Sequence, residues 1–190
     1  MGLMNIIDFA FIIPGFPLIA FLIVIFFGYK LKERSAYVSI AAISLSALLS
    51  TITLFEVIAG RTVNISFPLL TFGKFVIPVG FAVDQLSAMM LFVVSFIAAC
   101  IQIYSIGYMN GDPRYPRFFA YMSLFASAML ALILANNFFE LYAFWEIVGL
   151  CSYLLIGFWF EKRSAALAAK KAFIVTRIGD LGLMLGILLI

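Results

Sequence analysis

The sequence predicts an all-α membrane protein, a bundle of six transmembrane helices with one small β-hairpin outside the bilayer. Of its 190 residues, 66% are hydrophobic and only 11% are charged, whereas a soluble domain carries about 25% charged residues. So little polar surface cannot cover a globule in water. The apolar residues also fall into six stretches, and each is close to the length of about 20 residues with which a helix crosses the hydrocarbon layer.

Composition also excludes several classes of function. The net charge of +3 is small and dispersed, unlike the basic surface of a nucleic-acid-binding protein. Histidine is absent, which excludes bis-histidine haem and histidine-ligated zinc or copper. Cys100 and Cys151 stand far apart in apolar runs and form no iron–sulfur motif. We therefore expect no cofactor and no metal in this chain, and no nucleic-acid partner.

The six predicted spans form a single membrane domain over residues 1–190. They cover about 6–28, 36–57, 81–108, 118–135, 138–160 and 168–190. Asn136 and Asn137 predict a tight turn between the fourth and fifth spans. The sixth span reaches the last residue without a polar cap or anchor, so we expect this chain to be the amino-terminal part of a longer protein.

The basic residues predict the orientation of the bundle. The segments that follow spans 1, 3 and 5 carry nine of the twelve Lys and Arg residues, whereas the other side has only Arg61 and Lys74. The positive-inside rule therefore places the nine in the cytoplasm and the amino terminus outside. The nine are Lys30, Lys32, Arg34, Arg114, Arg117, Lys162, Arg163, Lys170 and Lys171.

One loop, residues 58–80, is long enough to form structure of its own. Residues 63–67 alternate between apolar and polar side chains, and Pro68 and Gly73 come before a second short apolar run that ends near Pro78. Alternation of this kind around turn residues favours a β-hairpin on the external face. The alternative is an irregular loop at the membrane interface.

Three ionisable residues lie inside the predicted spans. Glu146 lies about 21 Å from the basic end of span 5, and Asp180 and Arg177 lie about 18 and 13 Å into span 6, at 1.5 Å per residue. Such a group costs roughly 2.5–3.5 kcal/mol to insert, so it predicts function. Arg177 and Asp180, three residues apart, share a helix face. Since a short loop makes spans 5 and 6 antiparallel neighbours, we expect all three charges in one polar layer.

This layer predicts a proton relay centred on Glu146. Burial favours the neutral form of a carboxyl group and a nearby arginine favours its charged form, so Glu146 is suited to bind and release a proton. Arg177 and Asp180 would tune or share the relay. The alternative is a structural ion pair between Glu146 and Arg177 that never changes its protonation state.

The charges near the membrane surface are weaker candidates. Lys170 and Lys171 could belong to the proton path, but snorkelling at the cytoplasmic border also explains them. Asp84 opens the third span at its external edge and favours the start of a helix. Glu140 lies near the outer surface.

Other side chains near the buried carboxylate are predicted to serve packing. Gly149, Ser152 and Gly157 allow helices to approach closely. Trp145 and Trp159 are typical of packing or of the membrane interface.

At this point the sequence resembles a known family, the L subunits of NADH–quinone oxidoreductase (respiratory complex I), called subunit 5 in mitochondria. The resemblance covers the chain from about Asp84 onward and, more loosely, the first two spans. It rests on RFFAY at 117–121, FWEIVGLCSYLLIGFW at 144–159, KAF at 171–173 and TRIGD at 176–180.

The resemblance implies an antiporter-like subunit of the membrane arm that translocates protons, driven by electron transfer elsewhere in the complex. The family's fifth-helix glutamate matches Glu146, and its sixth-helix arginine and aspartate match Arg177 and Asp180. NADH, flavin, iron–sulfur clusters and quinone are then expected in partner subunits, so that this chain is part of a translocating oxidoreductase without a redox site of its own. The expected partners are the other membrane-arm subunits, especially the adjacent antiporter-like one, and the lipid bilayer, here a bacterial plasma membrane.

Two other interpretations remain open. Multi-subunit sodium/proton antiporters share the Trp-Glu block, although the residues around Gly149 and the segment 176–180 resemble complex I more closely. A structural membrane scaffold without a transport role is the other. The buried Glu146 argues against a scaffold, because a scaffold gains nothing from the energy of inserting a carboxylate.

Overall fold

The computed structural model describes residues 6–72 and 75–189. Lys74 and Ile190, which the sequence analysis placed in the external loop and the sixth span, lie outside the described residues. In this part of the chain a short 3-10 helix precedes six α-helices, and a β-hairpin separates the second helix from the third. The elements are the 3-10 helix Ile6–Ile12, α1 (Gly15–Leu31), α2 (Arg34–Ile58), β1 (Val63–Phe72), β2 (Phe75–Val83), α3 (Gln85–Tyr108), α4 (Tyr115–Leu134), α5 (Phe138–Ile156) and α6 (Arg163–Leu188).

The predicted helical membrane bundle is confirmed, with one α-helix for each predicted span. Among the described residues, α2, α3, α4, α5 and the stretch Phe9–Leu31 that contains α1 are each long and apolar enough to cross a membrane. The sixth helix, α6, has 26 residues but carries five charged residues along its length. Those five are Arg163, Lys170, Lys171, Arg177 and Asp180.

Some predicted boundaries were wrong, each for a local reason. The first span is not one continuous α-helix: it breaks at Pro14, which offers no backbone N–H and crowds the preceding turn. The third helix begins at Gln85, because residues 81–83 complete a strand. The fifth helix ends at Ile156 and the sixth begins at Arg163. The loop between them therefore lies a few residues earlier in the sequence than predicted.

Neighbouring helices satisfy the backbone around the break at Pro14. The hydroxyl of Ser46 on α2 donates to the carbonyl oxygen of Ile13 at 2.7 Å, and that of Ser127 on α4 donates to the carbonyl oxygen of Pro14 at 2.8 Å. An unpaired backbone group inside a bilayer costs several kcal/mol. These two serines, together with the backbone N–H of Leu18, which also donates to the Pro14 carbonyl, therefore help the bundle to accommodate an interrupted helix.

The predicted hairpin is also confirmed. The two strands are antiparallel, with Val63 opposite Val83 and Pro68 opposite Pro78, and the register shifts just after Pro68. Proline cannot donate a ladder hydrogen bond, so it is tolerated at such an irregularity. Because the hairpin joins the end of α2 to the start of α3, it lies at the end of the bundle opposite the basic loops.

Candidate functional site

The site is built on the antiparallel pair α5 and α6, as the sequence predicted. At the loop end of the seam between them, a Cβ atom added to Gly157 would lie only 3.1 Å from the Cβ of Ala169, so that glycine allows the helices to touch. Farther along, the rings of Tyr153 and Phe173 pack with their centroids 5.3 Å apart. The next contact along the seam is between charged side chains.

Arg177 of α6 lies between two carboxylates. It forms an ion pair with Glu146 of α5, and its Nη1 lies 3.6 Å from Oδ2 of Asp180. Its Nη2 also donates to the backbone carbonyl oxygen of Glu146 at 3.3 Å. The side chains are 6% exposed for Asp180, 24% for Glu146 and 30% for Arg177. The structure thus brings the three predicted residues together in one polar layer.

Aromatic side chains hold this layer in place. The indole Nε1 of Trp145 donates to Oδ1 of Asp180 at 3.0 Å, and the guanidinium of Arg177 lies 4.7 Å from the centroid of the Phe173 ring. A cation over an aromatic face is stabilised by the ring quadrupole. A Cβ atom added to Gly149 would lie 3.6 Å from Nη2 of Arg177, an ordinary contact distance, so Gly149 packs beside the guanidinium without being required there.

Sequence reasoning assigned Trp145 to packing and missed its polar contact. The signal was present in the sequence, since Trp145 is the residue next to Glu146 and a tryptophan in a bilayer needs a partner for its N–H. Only the packing of α5 on α6 reveals that this partner is Asp180.

Lys170 and Lys171 do not join the Glu146 cluster. Both are exposed, and among the described residues neither lies within 4.0 Å of a carboxylate oxygen. Lys170 precedes Arg177 by seven residues, which is about 10 Å along a helix. Lys170 instead lines a cavity at the loop end of the bundle.

The two remaining acidic candidates have structural contacts. Asp84 caps α3: its carboxylate accepts the backbone N–H of Ser87, and the Ser87 hydroxyl accepts the backbone N–H of Asp84, each at 2.7 Å. The hydrogen bond from the Ser87 backbone, and after it one from the Ser87 hydroxyl to the carboxylate, lower the pKa of Asp84. Glu140 is buried and accepts the backbone N–H of Gly80 at 2.7 Å, which ties the hairpin to α5.

The charges of the cluster are compatible with proton exchange. With both carboxylates ionised, Glu146, Asp180 and Arg177 carry one net negative charge, so that one added proton makes the cluster neutral. A net charge inside a bilayer is unfavourable, and proton binding or release changes that net charge directly. Among the described residues no group of three or more Asp, Glu or Cys side chains could hold a metal ion.

Two family models match the chain. One, described as the N-terminus of NADH-ubiquinone oxidoreductase (complex I) chain 5, matches residues 69–119. The other, described as the transmembrane region of the NADH:quinone oxidoreductase/Mrp antiporter family, matches residues 135–190 and so includes the whole charge cluster.

Curated relatives match nearly the whole chain. The NAD(P)H-quinone oxidoreductase subunit 5 of the Paulinella chromatophora chromatophore is 45% identical over 96% of this chain and 28% of its own length. The F(420)H(2) dehydrogenase subunit L of Methanosarcina mazei is 46% identical over 96% of this chain and 27% of its own. The NAD(P)H-quinone oxidoreductase chain 5 of Synechocystis is 44% identical over 84% of this chain and 24% of its own. The chain therefore spans about a quarter of the length of these relatives.

A solved structure shares the fold. A chain of the membrane-bound sulfane sulfur reductase, an archaeal respiratory membrane complex, superposes with a TM-score of 0.78 at 17% sequence identity. The match covers 90% of this chain and 34% of the other. At that identity the match indicates a common helix arrangement.

Proposed function

The chain belongs to the complex I chain 5 family, and from this premise we propose that it forms part of an antiporter-like membrane subunit that carries protons through Glu146. In this proposal the subunit is part of a quinone oxidoreductase complex and takes its energy from electron transfer in other subunits. The relatives that support this are named as subunits of NAD(P)H-quinone oxidoreductases and of an F(420)H(2) dehydrogenase.

The arrangement of Arg177 between Glu146 and Asp180 carries the proposal. Arg177 contacts both carboxylates, yet it can neutralise only one of them. The cluster therefore has a place for one proton, and Glu146 is the more exposed of the two carboxylates. Glu146 then exchanges the proton, while Asp180, held by Trp145, keeps Arg177 in position.

The remaining roles follow from the membership of a complex. The chain acts as part of a proton-translocating oxidoreductase and does no redox chemistry itself; NADH or another donor, flavin, iron–sulfur clusters and quinone belong to partner subunits. The partners are the other membrane-arm subunits, above all the adjacent antiporter-like one. The basic loops favour an amino terminus outside the membrane, and in this proposal the membrane is a bacterial plasma membrane.

A sodium/proton antiporter is the second candidate, because the model that matches residues 135–190 describes both kinds of protein. The relatives favour the quinone oxidoreductase, because they are named as subunits of quinone oxidoreductases and of an F(420)H(2) dehydrogenase. Neighbouring genes for iron–sulfur and quinone-site subunits would distinguish the two.

The deciding experiment is Glu146→Gln in the full-length subunit within its assembled complex. Glutamine keeps the size and the hydrogen bonds of glutamate but cannot titrate. We expect fewer protons translocated per electron pair, or slower translocation, in proteoliposomes of the variant. Glu146→Asp should recover part of the activity, because it keeps a carboxylate with a shorter reach.

Glu33→Gln is the matched control, because Glu33 is an exposed carboxylate in the loop between α1 and α2. It should translocate as the wild type does. If Glu146→Gln retained both the wild-type stoichiometry and the wild-type rate, Glu146 would be a structural residue and the proposed relay would be wrong.

A further inference from the structure

A cavity of about 330 Å³ opens between α4, α5 and α6 at the end of the bundle that carries the basic loops. We call it the basal cavity. Its wall combines the cationic side chains of Arg117 and Lys170 with the phenol rings of Tyr121 and Tyr153, and Leu154 contributes apolar surface. None of the three charged residues of the proton cluster lines it, so the basal cavity is separate from that cluster.

Two of its cations lack a carboxylate partner. Arg117 and Lys170 are both exposed, and in the described part of the chain neither lies within 4.0 Å of a carboxylate oxygen. The third cation on the wall, Arg114, already has partners: its Nη2 lies 2.8 Å from the carboxylate of Glu161, and its guanidinium lies 4.8 Å from the centroid of the Phe160 ring. The cavity therefore has an excess of positive charge that nothing in the described chain balances.

The position of the cavity indicates where an anion would come from. Arg117 lies in the first turn of α4, and Lys170 lies about two turns into α6, which begins at Arg163. Basic and aromatic residues at the ends of transmembrane helices lie level with lipid headgroups. Basic pockets between such helices bind the headgroups of acidic lipids.

We propose that the basal cavity binds the phosphate group of an acidic phospholipid. The planar guanidinium of Arg117 can donate to two phosphate oxygens, and Lys170 adds a point charge from the opposite helix. The hydroxyls of Tyr121 and Tyr153 donate to the remaining oxygens. The beginning of the acyl chains then lies against Leu154, so that one lipid contacts three helices at once. The proposal is independent of the proton relay.

The test uses the full-length subunit in its assembled complex, stripped of lipid in detergent and titrated with phosphatidylglycerol or phosphatidylcholine under native mass spectrometry. The wild type should bind phosphatidylglycerol in preference to phosphatidylcholine. Arg117→Gln with Lys170→Gln should weaken phosphatidylglycerol binding about thirty-fold, because a basic residue beside an anionic lipid contributes about 1 kcal/mol.

Two further variants separate this site from general effects of charge and folding. Lys30→Gln with Arg163→Gln removes the same charge from exposed positions outside the cavity and should leave the affinity within about threefold, because exposed charges act only through a screened surface potential. Arg117→Lys with Lys170→Arg keeps both charges and should keep most of the binding, which shows that the cavity tolerates substitution.

Three results would overturn the proposal. If the two double variants that remove charge lost equal affinity for phosphatidylglycerol, the lipid would be held by diffuse attraction to the membrane surface and not by the basal cavity. Displacement of phosphatidylglycerol by inorganic phosphate at similar concentration would mean a site for free phosphate. Absence of any preference for phosphatidylglycerol in the wild type would mean that another segment of protein covers the cavity in the complex.

Discussion

The indole Nε1 of Trp159 donates a hydrogen bond to Oδ2 of Asp112 at 2.9 Å. This contact joins the α3–α4 loop to the α5–α6 loop at the basic end of the bundle. A second contact between the same loops lies beside it, where Arg114 and Glu161 form an ion pair at 2.8 Å. The α5–α6 loop joins the helices that carry Glu146 and Arg177, and the α3–α4 loop leads into α4. Their attachment therefore helps to position α5 and α6 relative to α4.

The attachment should weaken only in acid. Burial raises the pKa of Asp112, but the hydrogen bond from Trp159, the backbone N–H of Arg114 and the charge of Arg114 together lower it below its ordinary value of 3.8. Because the pKa of Asp112 is lower in the folded protein than in the unfolded chain, its ionised carboxylate stabilises the folded loops at any pH above the unfolded-state pKa. That contribution is lost as the pH falls through the folded-state pKa. We therefore expect the fluorine resonance of 5-fluorotryptophan at position 159 to stay constant at neutral pH and to shift below pH 3.8.

Asp112→Asn is the control for this titration, because it cannot ionise. It should remove the acid transition of the Trp159 resonance. A transition that persisted in Asp112→Asn, or one centred well above pH 3.8 in the wild type, would contradict the assignment.

A second prediction concerns the hairpin. A Cβ atom on Gly80 would meet the backbone carbonyl of Ile65 on the paired strand and the side chain of Asn136. The backbone of the paired strand cannot shift away without breaking the hydrogen bonds of the β ladder. The N–H of Gly80 is also the donor to Glu140. Gly80→Ala should therefore destabilise the hairpin by about 2 kcal/mol or more, in the range of strained or overpacked substitutions, and should speed proteolysis within residues 63–83.

Gly107→Ala is the matched control for this substitution. A Cβ atom on Gly107 meets nothing within 4 Å, and in a helix alanine is favoured over glycine by about 1 kcal/mol. Equal proteolysis of both variants would show that the close approach at Gly80 is unimportant.

A third prediction tests how the break at Pro14 is tolerated. Ser46→Ala removes the donor to the carbonyl of Ile13 and should lower the free energy of unfolding in micelles by about 1 kcal/mol, the typical net value of a hydrogen bond. Thr51→Ala on the same helix removes only a bond to the carbonyl of Ala47 one turn earlier, which already serves the helix, so it should change stability less. Equal losses would mean that the serine at the break is an ordinary packing residue.

Much of this fold could be predicted because the bilayer sets simple requirements. Hydrophobic length gives the spans, and alternation around Pro68 and Pro78 gives the hairpin. The break at Pro14 was not predicted, since a proline kinks some membrane helices and interrupts others. Whether a proline kinks or interrupts a helix depends on whether neighbouring helices supply hydrogen-bond donors, here Ser46 and Ser127. Which helices are neighbours cannot be predicted from the local sequence.

The candidate site shows the same division. Burial cost identified Glu146, and i,i+3 spacing joined Arg177 to Asp180. The hydrogen bond from Trp145 to Asp180 spans 35 residues, and the basal cavity joins residues of three helices. Both depend on the rotation of each helix about its axis. Sequence does not determine that rotation, because membrane helices are only weakly amphipathic.

The last prediction separates charge from geometry at Arg177. Its guanidinium contacts the Glu146 carboxylate, the Glu146 carbonyl oxygen and Asp180 at the same time. Lysine keeps the charge but lacks the planar fork, so Arg177→Lys should lose at least one of these contacts. At about 1–1.5 kcal/mol for such a contact, proton-coupled turnover of the assembled complex should fall roughly tenfold. Arg177→Ala should reduce turnover further, because both carboxylates then lose their cation.

The control is Arg163→Lys, since Arg163 is an exposed arginine at the start of the same helix. This variant should match the wild type, and the assembly of every variant is checked on native gels. If Arg177→Lys assembled and turned over at the wild-type rate, charge alone would be sufficient at this position, and the bridging geometry that we assign to Arg177 would have no part in proton transfer.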